Sequence, residues 1–143
     1  MATRSAIGVM HGDVCKAVYC HWDGYLEHNG KLLQDHYLNS AKTNLLISLG
    51  DISALRETIG EQHDFDDRTH PNWTLFYGRD RGETGTEFRT FTSYYAFMDH
   101  FKGMGCEFFY IMKDGVWYYS TENLPALKPL APALEAIVEG DMA

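Results

Sequence analysis

Two dipeptides, Gly12-Asp13 and Asp114-Gly115, each sit between runs of alternating apolar residues, and each suits a two-residue hairpin. A glycine at the first central position fits a type II′ turn between Ser5–His11 and Val14–His21. Asp-Gly fits a type I′ turn between Cys106–Lys113 and Val116–Ser120. The turns set the register. In the first hairpin Ile7 faces Val18 and Val9 faces Lys16, so Ile7, Val9, Val14, Val18 and Cys20 share one side. Gly8, Met10, Cys15, Ala17, Tyr19 and His21 take the other, and its small residues leave room for a helix or a second subunit. In the second hairpin Met112 pairs with Trp117, Ile111 with Tyr118 and Tyr110 with Tyr119. Apolar residues on both faces predict strands inside a sheet covered on both sides.

Between the hairpins, Leu32, Leu33, His36 and Tyr37 recur at helical spacing over Gly30–Asn39. Ser40 can cap a second helix bearing Leu45, Leu46 and Leu49, which Gly50 ends in the left-handed conformation. Asp51-Ile52-Ser53 predicts a cap for one further turn through Leu55. Residues 61–72 are charged and have neither period, so they read as a surface loop. Trp73–Tyr77 alternates like a strand, Gly78–Gly85 reads as a glycine-rich connection, and Glu87–Phe91 as the partner strand. Ser93 caps a helix from Tyr94 to Lys102. Residues 121–143 form an extended tail with Pro125, Pro129 and Pro132, then a short helix over 133–138. The expectation is a single α+β domain over 1–143, with a mainly antiparallel sheet of about six strands and three or four helices.

Charge narrows the function classes. Twelve Lys and Arg against twenty Asp and Glu give a formal charge of −8, which repels nucleic-acid backbones, so direct nucleic-acid binding is not expected. Three cysteines (Cys15, Cys20, Cys106) build no disulfide framework and favour a reducing compartment. No apolar run of bilayer length and no signal-peptide pattern is present, so a cytoplasmic protein without membrane contact is expected.

Chemistry could reside in three places. In the corner Tyr19-Cys20-His21-Trp22-Asp23-Gly24-Tyr25, Trp22 and Tyr25 could stack a planar base while Asp23 accepts from its edge. The same residues also read as a plain Asp-Gly turn with two rings capping the core. Arg79 and Arg81, with Arg89 behind them, place guanidinium forks on a glycine-rich stretch and could hold an anion. Their alternative is pairing with Asp80, Glu83 or Glu87. The loop residues His63, Asp66 and His70 are ligand types for zinc, manganese or iron, but their spacing matches no closed metal motif. Strand alternation points Cys20 and His21 apart, which argues against a Cys-His nucleophile there.

With these residues the chain resembles a family of small, mostly uncharacterised proteins of phages and mobile elements. The resemblance rests on Thr3-Arg4-Ser5-Ala6-Ile7, the corner Tyr19–Tyr25, Leu45–Ser53, Arg79–Glu83 and Asp114–Tyr118. It implies a small accessory protein acting in the host cytoplasm, against host defence. The first expectation is therefore a non-catalytic protein without cofactor that sequesters a small anionic, nucleotide-like immune signal, as a homo-oligomer with a shared pocket. Its ligand-binding residues would be Trp22, Asp23, Tyr25, Arg79, Arg81 and Arg89. A second is an anti-CRISPR-like inhibitor that offers its acidic surface to a host defence protein. A third is a metal-dependent nucleotide hydrolase built on His63, Asp66 and His70.

Overall fold

The structure, a computed structural model, describes residues 2–142 and the side chains of residues 2–138. Its first two strands, β1 (Arg4–His11) and β2 (Val14–Cys20), form the expected hairpin, with Ile7 opposite Val18 and Val9 opposite Lys16. Gly12 supplies the positive φ of +64° that the turn requires. The second hairpin joins β6 (Cys106–Lys113) to β7 (Val116–Thr121), with Met112 opposite Trp117. Asp114 and Gly115 both take positive φ, as a type I′ turn demands.

These hairpins meet through a parallel β1–β6 pair at the sheet centre. The strands β3 (Ile52–Ala54), β4 (Leu75–Phe76) and β8 (Lys128–Pro129) extend it to the order β4-β3-β2-β1-β6-β7-β8, and β5 (Arg89–Phe91) also pairs β2. Among the described residues the sheet has eight strands rather than about six, and it is mixed: five pairings are antiparallel, as most were expected to be, and β1–β6 and β2–β3 are parallel. Parallel pairing at the centre suits strands that are apolar on both faces.

Several local expectations change. Ile52–Ala54 is a strand rather than a helical turn, because the far edge of β2 offers Cys20 as a partner for Ile52. Arg89–Phe91 lies on β2, with Cys15 opposite Phe91, and not beside Trp73–Tyr77. The glycine-rich stretch begins as a helix, α3 (Tyr77–Arg81), which Gly82 ends at φ +73°. The last helix, α5, runs over Leu130–Met142, longer than expected.

Helices cover both faces. On one side a π-helical turn (Leu26–Gly30), α1 (Lys31–His36), α2 (Ser40–Ser48) and α5 lie over Ile7, Val9, Val18, Tyr110 and Trp117. On the other, α4 (Tyr94–Lys102) sets Phe97, Met98 and Phe101 on Ala6, Cys15 and Ala17. That is the face of small residues, and a helix of the same chain occupies it. Gly8 shows how close the packing is, since a Cβ there would lie 2.8 Å from the Cys15 sulfur. The caps fall near their predicted places: Ser93 accepts from the Ala96 amide, while Asn39 rather than Ser40 caps α2. No helix among the described residues is long and apolar enough to cross a membrane.

Candidate functional site

The far edge of β2 is shared by two short strands, β5 beside Cys15–Ala17 and β3 beside Cys20. Between them the Tyr19 amide has no strand partner. The Asp51 carboxylate accepts it at 2.9 Å, and Arg89 from β5 closes on the same carboxylate at 3.0 Å. Arg89 thus seals a seam in the sheet.

The other two predicted arginines are also engaged. Arg79 grips Asp80 through Nε at 2.9 Å and Nη2 at 3.1 Å, and donates to the Ile59, Gly60 and Thr74 carbonyl oxygens. The Asp80 side chain is fully buried and also accepts the His63 and Phe76 amides. All the donors of Arg79 are spent on the fold. Arg81 pairs with Glu83 at 2.6 Å and lies over the rings of Phe65 and Tyr77, at 4.7 and 5.0 Å. It lines an open hollow of about 850 Å³ between residues 62–66 and 78–82, whose walls carry Asp64, Asp66 and Asp80. The carboxylates offset the positive charge expected of this stretch.

The metal candidates are likewise spoken for. His63 donates from Nδ1 to the Glu61 carbonyl at 2.7 Å and lies 3.5 Å from Asp80. The His70 ring stacks on Trp73 and meets Asp67 at 3.0 Å, while Asp66 is exposed. Among the described residues, no group of three or more His, Cys, Asp or Glu gathers to hold a metal ion.

The corner after β2 is a packing junction. Asn29, wholly buried, has its amide nitrogen 3.2 Å from the Trp22 carbonyl, 3.3 Å from the Ser5 hydroxyl and 3.4 Å from the Cys20 sulfur. Gly24 donates to the Thr3 carbonyl and accepts from the Tyr110 phenol. Asp23 takes the left-handed conformation at φ +55°, and its side chain turns to Tyr25 and His28. Tyr25 meets His28, while Trp22 meets the edge of His21 at 4.7 Å. The two rings predicted to sandwich a base therefore face different histidines.

The structure brings together a different group. Arg4 and His21 are the residues next to the last hairpin pair, Ser5–Cys20, and strand alternation puts both on the side of Tyr19. The Tyr19 hydroxyl and His21 Nδ1 are 2.7 Å apart. Burial pushes the Tyr19 phenol up to about 12, so it keeps its proton at neutral pH. Partial burial, and then the Arg4 charge, lower the His21 imidazole from its ordinary value and keep it neutral. The tautomer sets the direction of this bond: in the one whose hydrogen resides on Nε2, the phenol donates to Nδ1.

Arg4 lies across Gly105 and makes one hydrogen bond, from Nη1 to the Met104 carbonyl at 3.2 Å. Its other N–H groups, and His21 Nε2, meet no acceptor among the described residues. Among the described residues no carboxylate lies within ion-pair distance of Arg4, in contrast to Arg79, Arg81 and Arg89. Beside this pair the Trp22 indole is 45% exposed. Sequence reading passed over Arg4 although the hairpin register already placed it on the side of Tyr19 and His21.

No family model, no curated protein and no solved structure matches this chain.

Proposed function

We propose that this protein is a non-catalytic binding protein for a small anionic, nucleotide-like molecule, a phage-type accessory that withdraws an immune signal. One observation carries the reading. In an acid-rich chain, Arg4 keeps most of its donors open beside the neutral imidazole of His21 and the exposed indole of Trp22. A guanidinium fork matches phosphate oxygens, and an indole face accepts any planar base. Of the six residues expected from sequence, Trp22 stays in the reading. Arg79 and Arg89 leave it because their guanidinium groups hold the buried carboxylates of Asp80 and Asp51.

Calorimetry with cyclic mono- and dinucleotides and cyclic ADP-ribose isomers tests the proposal. The expected outcome is saturable heat with at least one of them, weakened by about 10- to 100-fold in Arg4→Gln, as loss of a charge-assisted hydrogen bond implies. No heat with the whole panel overturns it. A native mass spectrum of protein from infected cells would add the mass of any retained ligand and the subunit count.

A further inference from the structure

Arg4 of β1 and His21, the residue after β2, flank the last hairpin pair Ser5–Cys20, and the Arg4 charge reaches the imidazole. We infer that they form a clamp for one phosphoryl group, and that His21 takes up a proton as that group binds. The inference rests on the reading above that an anionic ligand enters beside Arg4.

The argument starts from the ring. His21 Nδ1 is held by the Tyr19 hydroxyl, so only Nε2 is available to an incoming group. A tetrahedral oxyanion seated against the guanidinium accepts from Nε2–H with one oxygen and from Arg4 with others. It also cancels the charge that disfavours the imidazolium. Both effects stabilise the protonated ring. The second proton, on Nδ1, needs an acceptor, and the Tyr19 hydroxyl can rotate from donating to accepting. The protein therefore holds a place for the proton in advance.

The groups around the ring agree with this. Arg4 on β1 is the cation whose charge acts on it, and Tyr19 on β2 is its hydrogen-bond partner. Trp22 beside it carries no charge. Behind Tyr19, Asp51 is occupied by Arg89, and Tyr77 of α3 and Cys106 of β6 are neutral at physiological pH. No carboxylate contacts the ring among the described residues, so the anion would be the first negative charge to reach it.

The sign follows by linkage. His21 gains affinity for a proton in the bound state, so anion binding is strongest below the free-state midpoint. It weakens as pH rises through the higher, bound-state midpoint.

The test uses sulfate, a tetrahedral oxyanion that does not titrate in this range, on the full chain labelled with nitrogen-15. His21 ring resonances are followed from pH 5 to 8 in sodium sulfate and in sodium chloride of equal ionic strength. Sulfate should raise the His21 midpoint by about one pH unit, a tenfold tighter hold on the proton. Arg4→Gln should abolish most of that difference, and Tyr19→Phe should reduce it. A midpoint equal in both salts overturns the clamp, as does a full sulfate response in Arg4→Gln; amide spectra establish that each variant is folded. Heat with a nucleotide but an unmoved His21 overturns the clamp and leaves the binding reading standing. A moved His21 without heat from any nucleotide supports the clamp and overturns the nucleotide.

Discussion

The Tyr110 phenol donates to the main-chain oxygen of Gly24 across 2.6 Å, tying the middle of β6 to the corner after β2. Burial holds that phenol well above its ordinary value, so it remains a donor at any working pH. On the other side of Gly24 there is no room: a Cβ would lie 2.7 Å from the Ser5 Cβ and 2.9 Å from the Thr3 carbonyl oxygen. The corner is thus fixed from two directions, and this fixing aims Trp22 and His21 outward.

Two substitutions test that fixing separately. Tyr110→Phe strands the Gly24 carbonyl and should cost about 1–3 kcal/mol. Gly24→Ala overpacks the junction and should also cost about 1–3 kcal/mol. Urea unfolding followed by tryptophan fluorescence reads both, and midpoints equal to wild type would show that the corner is not under this constraint.

The predicted arginines should separate by burial. Arg79→Met leaves the Asp80 carboxylate buried without its counter-charge and should cost about 3–5 kcal/mol. Arg81→Ala removes a pair exposed on both sides and should cost about 0–1 kcal/mol. Arg89→Met should fall between, since Asp51 keeps the Tyr19 amide. The order of three unfolding midpoints is the measurement, and a mild Arg79→Met would break the assignment.

What could be read in advance follows interaction range. Gly12-Asp13 and Asp114-Gly115 set their hairpins through local φ preferences, so the register of Ile7 on Val18 and of Met112 on Trp117 was legible. Ser93 and Gly50 were legible for the same reason. The parallel β1–β6 pair was not, because nothing near Ile7 says that Tyr110 lies beside it. Nor was the sharing of the β2 edge by β3 and β5, which turns Asp51 and Arg89 into a seam and converts an expected helical turn into a strand. The site suffered similarly. Trp22 stood out by composition, while Arg4 gains meaning only when the hairpin register is carried to its last pair.

The cysteines yield a chemical prediction. Burial pushes the thiols of Cys15 and Cys106 up to about 12 and that of Cys20 to about 11, so hardly any thiolate exists at pH 8. An aromatic disulfide reagent should find essentially no fast-reacting thiol in the native protein and three in guanidinium chloride. A stoichiometric fast phase at pH 8 without denaturant would contradict the packing around Cys15 or Cys20 on β2 or around Cys106 at the start of β6.

Acid should reach Asp67 of the charged loop only below the range of ordinary carboxylates. Asp67 accepts from the Thr69 hydroxyl at 2.6 Å, from the Thr69 amide at 2.7 Å and from His70 at 3.0 Å. The Thr69 hydroxyl, then His70 and the Thr69 amide, hold its carboxyl well below the usual carboxylate range. In the unfolded chain the group titrates near about 3.9. A depressed folded-state value means that the stabilisation is complete above that pH and is lost as pH falls through the folded-state value. The Thr69 amide resonance should therefore hold its position at neutral pH and move in a transition below about pH 4. Asp67→Asn should abolish that transition. A Thr69 amide that titrates identically in Asp67→Asn would assign the acid response to another group.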